Sequence, residues 1–214
     1  MTHATPMPLS QRLKAATRGD HEGLDQRLMA FQPFASRARY AAFLQVQYRF
    51  HRDVAPIFEA SMLERMLPGL RGRQRLDAVI ADLGDLGQAV PICYEPVVLS
   101  TSPSPSPQMA ADAATPPLDL PTALGWLYVE QGSHLGAAFL FKAAAGLGLD
   151  ATCGAQHLAP LPGGRAMGWK DFVSQLDGVP LTPDEIERAE AAARAAFTRV
   201  REHIEVCCPV VATT

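Results

Sequence analysis

The sequence predicts an all-α fold in a single domain, on three observations. Apolar residues recur every three or four positions over long stretches, which is the period of a helix face and not the alternation of a strand. Those stretches are built mainly from Ala and Leu: 48% of the 214 residues are hydrophobic but only 7% are aromatic, so the core must be aliphatic and small. Ala loses no side-chain entropy in a helix, and this composition leans that way. Helix-start and helix-stop residues also stand where the periodic stretches begin and end. A chain of this length suits one large core, placed at residues 1–206, with 207–214 as a loose tail.

Leu9, Leu13, Thr17, His21, Leu24 and Leu28 step by three or four and draw one face of a first helix. A second helix spans Arg37 to Glu59, with Ser36 as its N-cap and Tyr40, Phe43, Leu44, Val46, Gln47 and Phe50 along it. Pro68 and Gly69 turn the chain into a third, over Arg73 to Leu86. From about Pro91 to Pro121 the periodicity disappears. The Ser/Pro-rich run at about 99–118 lacks backbone donors and disfavours helix, so it reads as a long excursion inside one domain. A long helical pattern follows from Thr122 to about Ala145, ended by Gly146 and Gly148. Leu158 to Gly168 makes a turn, and Trp169 to Leu176 a short helix. Thr182 caps the last helix, Pro183 fits its first position, and the helix runs to about Val206.

The net charge of −3 comes from acids and bases scattered along the chain, which gives no footprint for nucleic acid. Four cysteines at 93, 153, 207 and 208 form no CxxC pair, so neither a zinc site nor a disulfide framework is expected. The first residues hold no apolar leader segment, and the apolar run Leu135 to Leu149 is interrupted by Lys142 and too short to span a bilayer. The expectation is a cytoplasmic protein with no membrane partner.

Two features could carry chemistry. His21 falls on the apolar stripe of the first helix, facing inward, where a neutral imidazole needs a partner. Lys14 and Arg18 lie seven and three residues earlier on the same flank. Seven helical residues rise about 10 Å, roughly the span from a porphyrin iron to its propionate edge. One helix could therefore ligate iron and pair with the acid groups. Against this, Gly19 and Gly23 flank His21 and weaken the helix, and Asp20 could cap a fresh one, leaving His21 exposed. Gly132 and Gly136, four apart on one helical face, would let a flat ligand approach the backbone closely, or let another helix cross there, the commoner use. The carboxylates Asp184, Glu185, Glu187 and Glu190 read as a solvated face and a favourable helix N-terminus. Trp126, Tyr128, Phe139, Phe141 and Phe172 are most simply core.

The string Ala123 to Ala144 resembles the distal helix of bacterial haem oxygenases of the iron-acquisition, biliverdin-producing type, and Gln32 to Phe58 resembles their second helix. Leu67 to Gly87 and Cys153 to Gly178 continue the match in the same order, so that the similarity covers all but the tails and the Ser/Pro segment. The resemblance implies a haem-oxygenase-like bundle with haem b, both substrate and cofactor, clamped between proximal and distal helices. It implies His21 as the iron ligand, and Gly132, Ser133 and Gly136 as the catalytic stretch over the ring. Lys14, Arg18, Tyr128, Gly132, Gly136, Arg194 and Phe197 are its haem-binding residues. The implied activity converts haem to biliverdin, CO and free iron, using O2 and electrons from a donor such as ferredoxin or an NAD(P)H-dependent reductase.

Ser133 stands where many members have an aspartate, so any water network must rest on Ser133, backbone groups and other side chains. The basic positions Lys14, Arg18 and Arg194 match members that cut at the α-meso carbon. The lysines of the branch with other regiochemistry would fall at Met29 and Ala143, and are absent. A non-catalytic haem carrier or sensor is the alternative, and would want its sixth position closed, for instance by His134. A helical interaction module without a cofactor is a third reading.

Overall fold

Single side-chain oxygens begin three of the long helices. In the computed structural model, which describes residues 7–92 and 118–209, Ser36 Oγ accepts from Arg39 N at 3.2 Å and opens α2 (Arg37–Glu59) as expected. At α7 (Pro183–Cys207), Thr182 is the expected N-cap, and Glu185 completes a reciprocal capping box with it. The N-cap of α5 (Leu120–Ala145) is Asp119, three residues before the expected start. Its carboxylate accepts from both the backbone N–H and the hydroxyl of Thr122, at 3.1 and 2.6 Å.

The remaining helices are α1 (Leu9–Phe31), α3 (Ser61–Met66), α4 (Leu76–Asp85) and α6 (Arg165–Asp177). Among the described residues there are no β-strands, only bridges joining Asp150 to Cys153 and Gly154. α3 was not anticipated, since six residues are too few for a period to show. The expected third helix splits into a 3-10 turn, Arg71–Arg73, and α4. α6 starts one turn earlier than expected, after Gly164, whose φ of 87° only glycine adopts easily. The Ser/Pro-rich excursion at about 99–118 lies, apart from Leu118, outside the described residues.

α1 is continuous through Gly19 and Gly23, so Asp20 caps nothing. Each glycine costs a helix about 1 kcal/mol, and tertiary contact with α7 offsets this. Leu9, Leu13 and Thr17 are buried, Arg12 Nε meets Glu190 at 2.7 Å and Arg27 Nε meets Glu205 at 2.7 Å. Arg27 also donates to the Cys208 carbonyl at 2.8 Å. Cys207 closes α7 and Cys208 is buried, so the expected loose tail does not begin at 207.

The main core joins Leu13, Val54, Ile57, Leu124, Leu127 and Phe172, and α5 packs along α7 through it. The close crossing falls at Gly125 and not at the Gly132–Gly136 pair. A Cβ at position 125 would lie 2.4 Å from the Ala189 carbonyl oxygen. α2 is tied to α7 by buried Asp53, which accepts from Arg199 Nε at 2.9 Å and faces His203 Nε2 at 2.8 Å.

Candidate haem-binding face

α1 and α5 touch each other and both rest on α7, which sets the spatial frame for the candidate residues. His21 does not face inward as the stripe suggested. Its side chain is 64% exposed. The apolar stripe is buried as far as Thr17, and beyond that α7 covers only one edge of the imidazole, with Phe197 in edge-on contact at 5.9 Å between ring centroids. Asp25, one turn on, meets His21 Nδ1 at 3.0 Å. A carboxylate on Nδ1 favours the proton there and leaves Nε2 as an outward lone pair, the arrangement of a metal-ligating histidine with its supporting acid.

Lys14 and Arg18 are exposed on α1, and Lys14 lies nearly in line with His21, at 100° per residue. Arg194 is exposed on α7 and its guanidinium reaches the Ala16 carbonyl at 3.5 Å. Phe197 is buried against His21. The structure thus brings Lys14, Arg18, His21, Arg194 and Phe197 onto adjoining parts of α1 and α7.

On α5, a Cβ added to Gly136 would meet nothing within 4 Å, so this backbone is open to an approaching group. A Cβ at Gly132 would sit 3.7 Å from the Trp169 ring of α6, an ordinary contact. Neither glycine is filled by a crossing helix. Leu135 and Phe139 share this side of the helix and are exposed, as is Met29 on α1. Exposed large apolar groups beside bare backbone suit a flat apolar ligand. Ser133 is exposed and its hydroxyl donates to the Glu130 carbonyl at 2.6 Å, leaving its lone pairs to accept. Tyr128 is half-buried against Trp169 at 5.6 Å, and burial raises its pKa, with Asp177 adding to the shift.

His134 turns away from the glycine face. Its Nε2 lies 3.1 Å from Glu130 Oε1, on the opposite side of α5. Sequence reasoning missed the polar layer there: His51 of α2, Glu130, and the buried pair His157–Asp82, whose Nδ1 and Oδ2 are 2.6 Å apart. The i, i+4 spacing of Glu130 and His134 was a visible signal. Nothing local pointed to His51 or Asp82 as partners.

The residues present fit a haem: an exposed, acid-supported imidazole on one helix, methyl-free backbone with apolar flanks on another, and cations along the first.

A family model described as heme oxygenase matches residues 108–205. The chain is 44% identical over 196 residues to "Heme oxygenase PigA" of Pseudomonas aeruginosa, covering 92% of this chain and 91% of that protein. It also matches the crystal structure of the NO- and CO-bound heme oxygenase from Neisseria meningitidis. That match has a TM-score of 0.82 and 35% identity, and covers 98% of this chain and 96% of the other.

Proposed function

Because the chain belongs to the haem oxygenase family, we propose that His21 is the residue that grips the iron of its haem substrate, through Nε2. The protein is an enzyme that degrades haem. The observation that carries the assignment of His21 is its exposed ring with Asp25 on Nδ1. Bound haem supplies the oxygen-activating iron and is itself the ring that is opened. The chain orients it. Asp25 holds the imidazole in one tautomer. Phe197 packs its edge on that ring and limits its swing. Lys14, Arg18 and Arg194 pair with the propionates, and Gly132 and Gly136 let α5 lie close over the macrocycle. Ser133 accepts a hydrogen bond from water on the distal side and so helps hold a proton source there.

The regiochemistry we favour is α-meso, supported by the basic residues on α1 and α7 and by Met29 and Ala143 where lysines would favour other edges. Products are biliverdin, CO and iron, with electrons from a ferredoxin or an NAD(P)H-dependent reductase in the cytoplasm. No helix among the described residues is long and apolar enough to cross a membrane. A carrier with its sixth position closed by His134 finds no support, since that side chain points away from the glycine face of α5, toward Glu130.

The test is aerobic turnover of the haem complex with ascorbate or a reductase, followed by chromatography of the bilin. Loss of haem absorbance with the α isomer growing in is expected for the wild type, and no turnover for His21→Ala. Normal bilin yield from His21→Ala overturns the ligand assignment; another isomer overturns the regiochemistry alone.

A further inference from the structure

The side of α5 that faces away from the glycines carries a second set of ligating atoms. Glu130 Oε1 lies 3.4 Å from His51 Nδ1 and 3.1 Å from His134 Nε2, and all three ligand atoms fall within 4.8 Å of one another. Glu130 and His51 are buried, and His134 nearly so. The two imidazoles are stacked, 6.2 Å apart and 20° from parallel. Neither contact to Glu130 has hydrogen-bond geometry: His51 Nδ1, Glu130 Oε1 and His134 Nε2 are all buried with no hydrogen-bond partner. The other Glu130 oxygen accepts from Gln131 Nε2 at 2.7 Å.

These three buried atoms converge on one another with no hydrogen bond of good geometry among them, a centre that an ion can fill. The spacing suits one. Ligands bonded at about 2.0–2.2 Å in a tetrahedron sit about 3.3–3.6 Å apart. Two histidines and one carboxylate, with a fourth position left for water, form a well-known donor set for borderline divalent ions. A pocket lined by Arg73, Arg75, Gln131, His157 and Trp169 touches the cluster at His134. Arg73, Arg75 and Arg165 line that pocket and are the cations that oppose occupancy, though each is anchored on a backbone carbonyl, of Gly168, Ala159 and Leu158 respectively.

We propose that His51, Glu130 and His134 bind a single divalent transition ion of the Zn2+ class, at a site independent of His21. The site shares no residue with those assigned to haem above, so it stands or falls apart from that reading.

The probe is Co2+ added to the haem-free, full-length protein, read by the visible d–d absorption of a four-coordinate ion, with Zn2+ as competitor. One equivalent is expected to bind. His134→Ala and Glu130→Gln each lose at least tenfold in affinity, His21→Ala retains it, and the haem-loaded protein still takes the ion. Because Glu130 and His51 are buried, thermal melting with and without Zn2+ provides a second measurement: Zn2+ raises the midpoint of the wild type but not of His134→Ala, whose side chain is the most accessible of the three. Absent d–d bands, binding lost in His21→Ala, or an equal Zn2+ shift in His134→Ala overturns the proposal.

Discussion

Gly136→Ala separates the role of bare backbone in binding from its role in folding. A Cβ there meets nothing within 4 Å, and the position is exposed in the interior of α5. The methyl therefore costs nothing sterically in the haem-free protein, while Ala is about 0.8–1.0 kcal/mol better than Gly in a helix interior. For a chain of this size that gain raises the melting midpoint by about 2–4 °C. Gly125→Ala has the same helix-propensity gain and the opposite outcome. Its Cβ falls 2.4 Å from the Ala189 carbonyl oxygen and 2.9 Å from both Ala192 Cβ and Ala193 N, mostly backbone atoms that cannot rotate away. Forcing α5 and α7 apart costs about 1–3 kcal/mol or more, so this variant melts below the wild type. In the haem complex the order changes for position 136. If the macrocycle lies against that backbone, the methyl overpacks the complex by a similar 1–3 kcal/mol, a loss in haem affinity of about 5- to 150-fold. The assays are thermal or urea unfolding of haem-free protein, then haem titration by absorbance and aerobic turnover. Full haem affinity and turnover in Gly136→Ala would show that the ring does not approach α5 there, and a haem-free midpoint below wild type would show that position 136 is not open.

Three further outcomes follow from the same geometry. His21→Ala removes an exposed side chain, so unfolding stability changes by less than about 0.5 kcal/mol while haem turnover is lost; a collapse in the urea midpoint would instead mark His21 as structural. Asp82→Ala strips a buried acceptor from the backbone N–H groups of Gln156 and His157 and from the His157 ring, at 2.8, 2.9 and 2.6 Å. Stability should fall by about 3 kcal/mol or more, and a loss under 1 kcal/mol by urea titration contradicts that account. Burial pushes the His157 pKa below its ordinary 6.5, outweighing the pull of Asp82. The unfolded chain then binds the proton more readily, so the contribution of His157 is complete above about pH 6.5 and is lost as pH falls through its folded value. Urea midpoints at pH 7.5 and 5.5 should differ less in His157→Asn than in the wild type; an equal difference removes His157 as the cause.

Much of the fold was legible because helix formation is local. Ser36 and Thr182 cap through atoms three residues from their partners, and the bounds of α2 and the start of α7 emerged as read. Asp119 was passed over because Thr122, a good cap in its own right, stands in the first turn; the structure uses its N–H as donor to Asp119. Ala and Leu periodicity gave the helical class, and the long matching strings gave the family.

The candidate site was legible only in part. The residue types at 21, 132 and 136 could be picked from spacing, but spacing alone could not distinguish glycine as a crossing point from glycine as an open face. Gly125 makes the close helix contact and Gly136 faces open space, and the difference lies in where α7 runs. Period alone placed His21 inward. The structure exposes it because beyond Thr17 α7 meets only an edge of the imidazole, its other contacts there going to Asp20 and Arg27.

From the sequence by itself came the helical class, most of the helix bounds, the family and the identity of the candidate ligand. Only the tertiary structure decided which glycine is open, which way the imidazole points, and that His51, Glu130 and His134 converge. Caps and periods act over three or four residues and are written in order along the chain, whereas burial and convergence depend on which distant helix lies opposite.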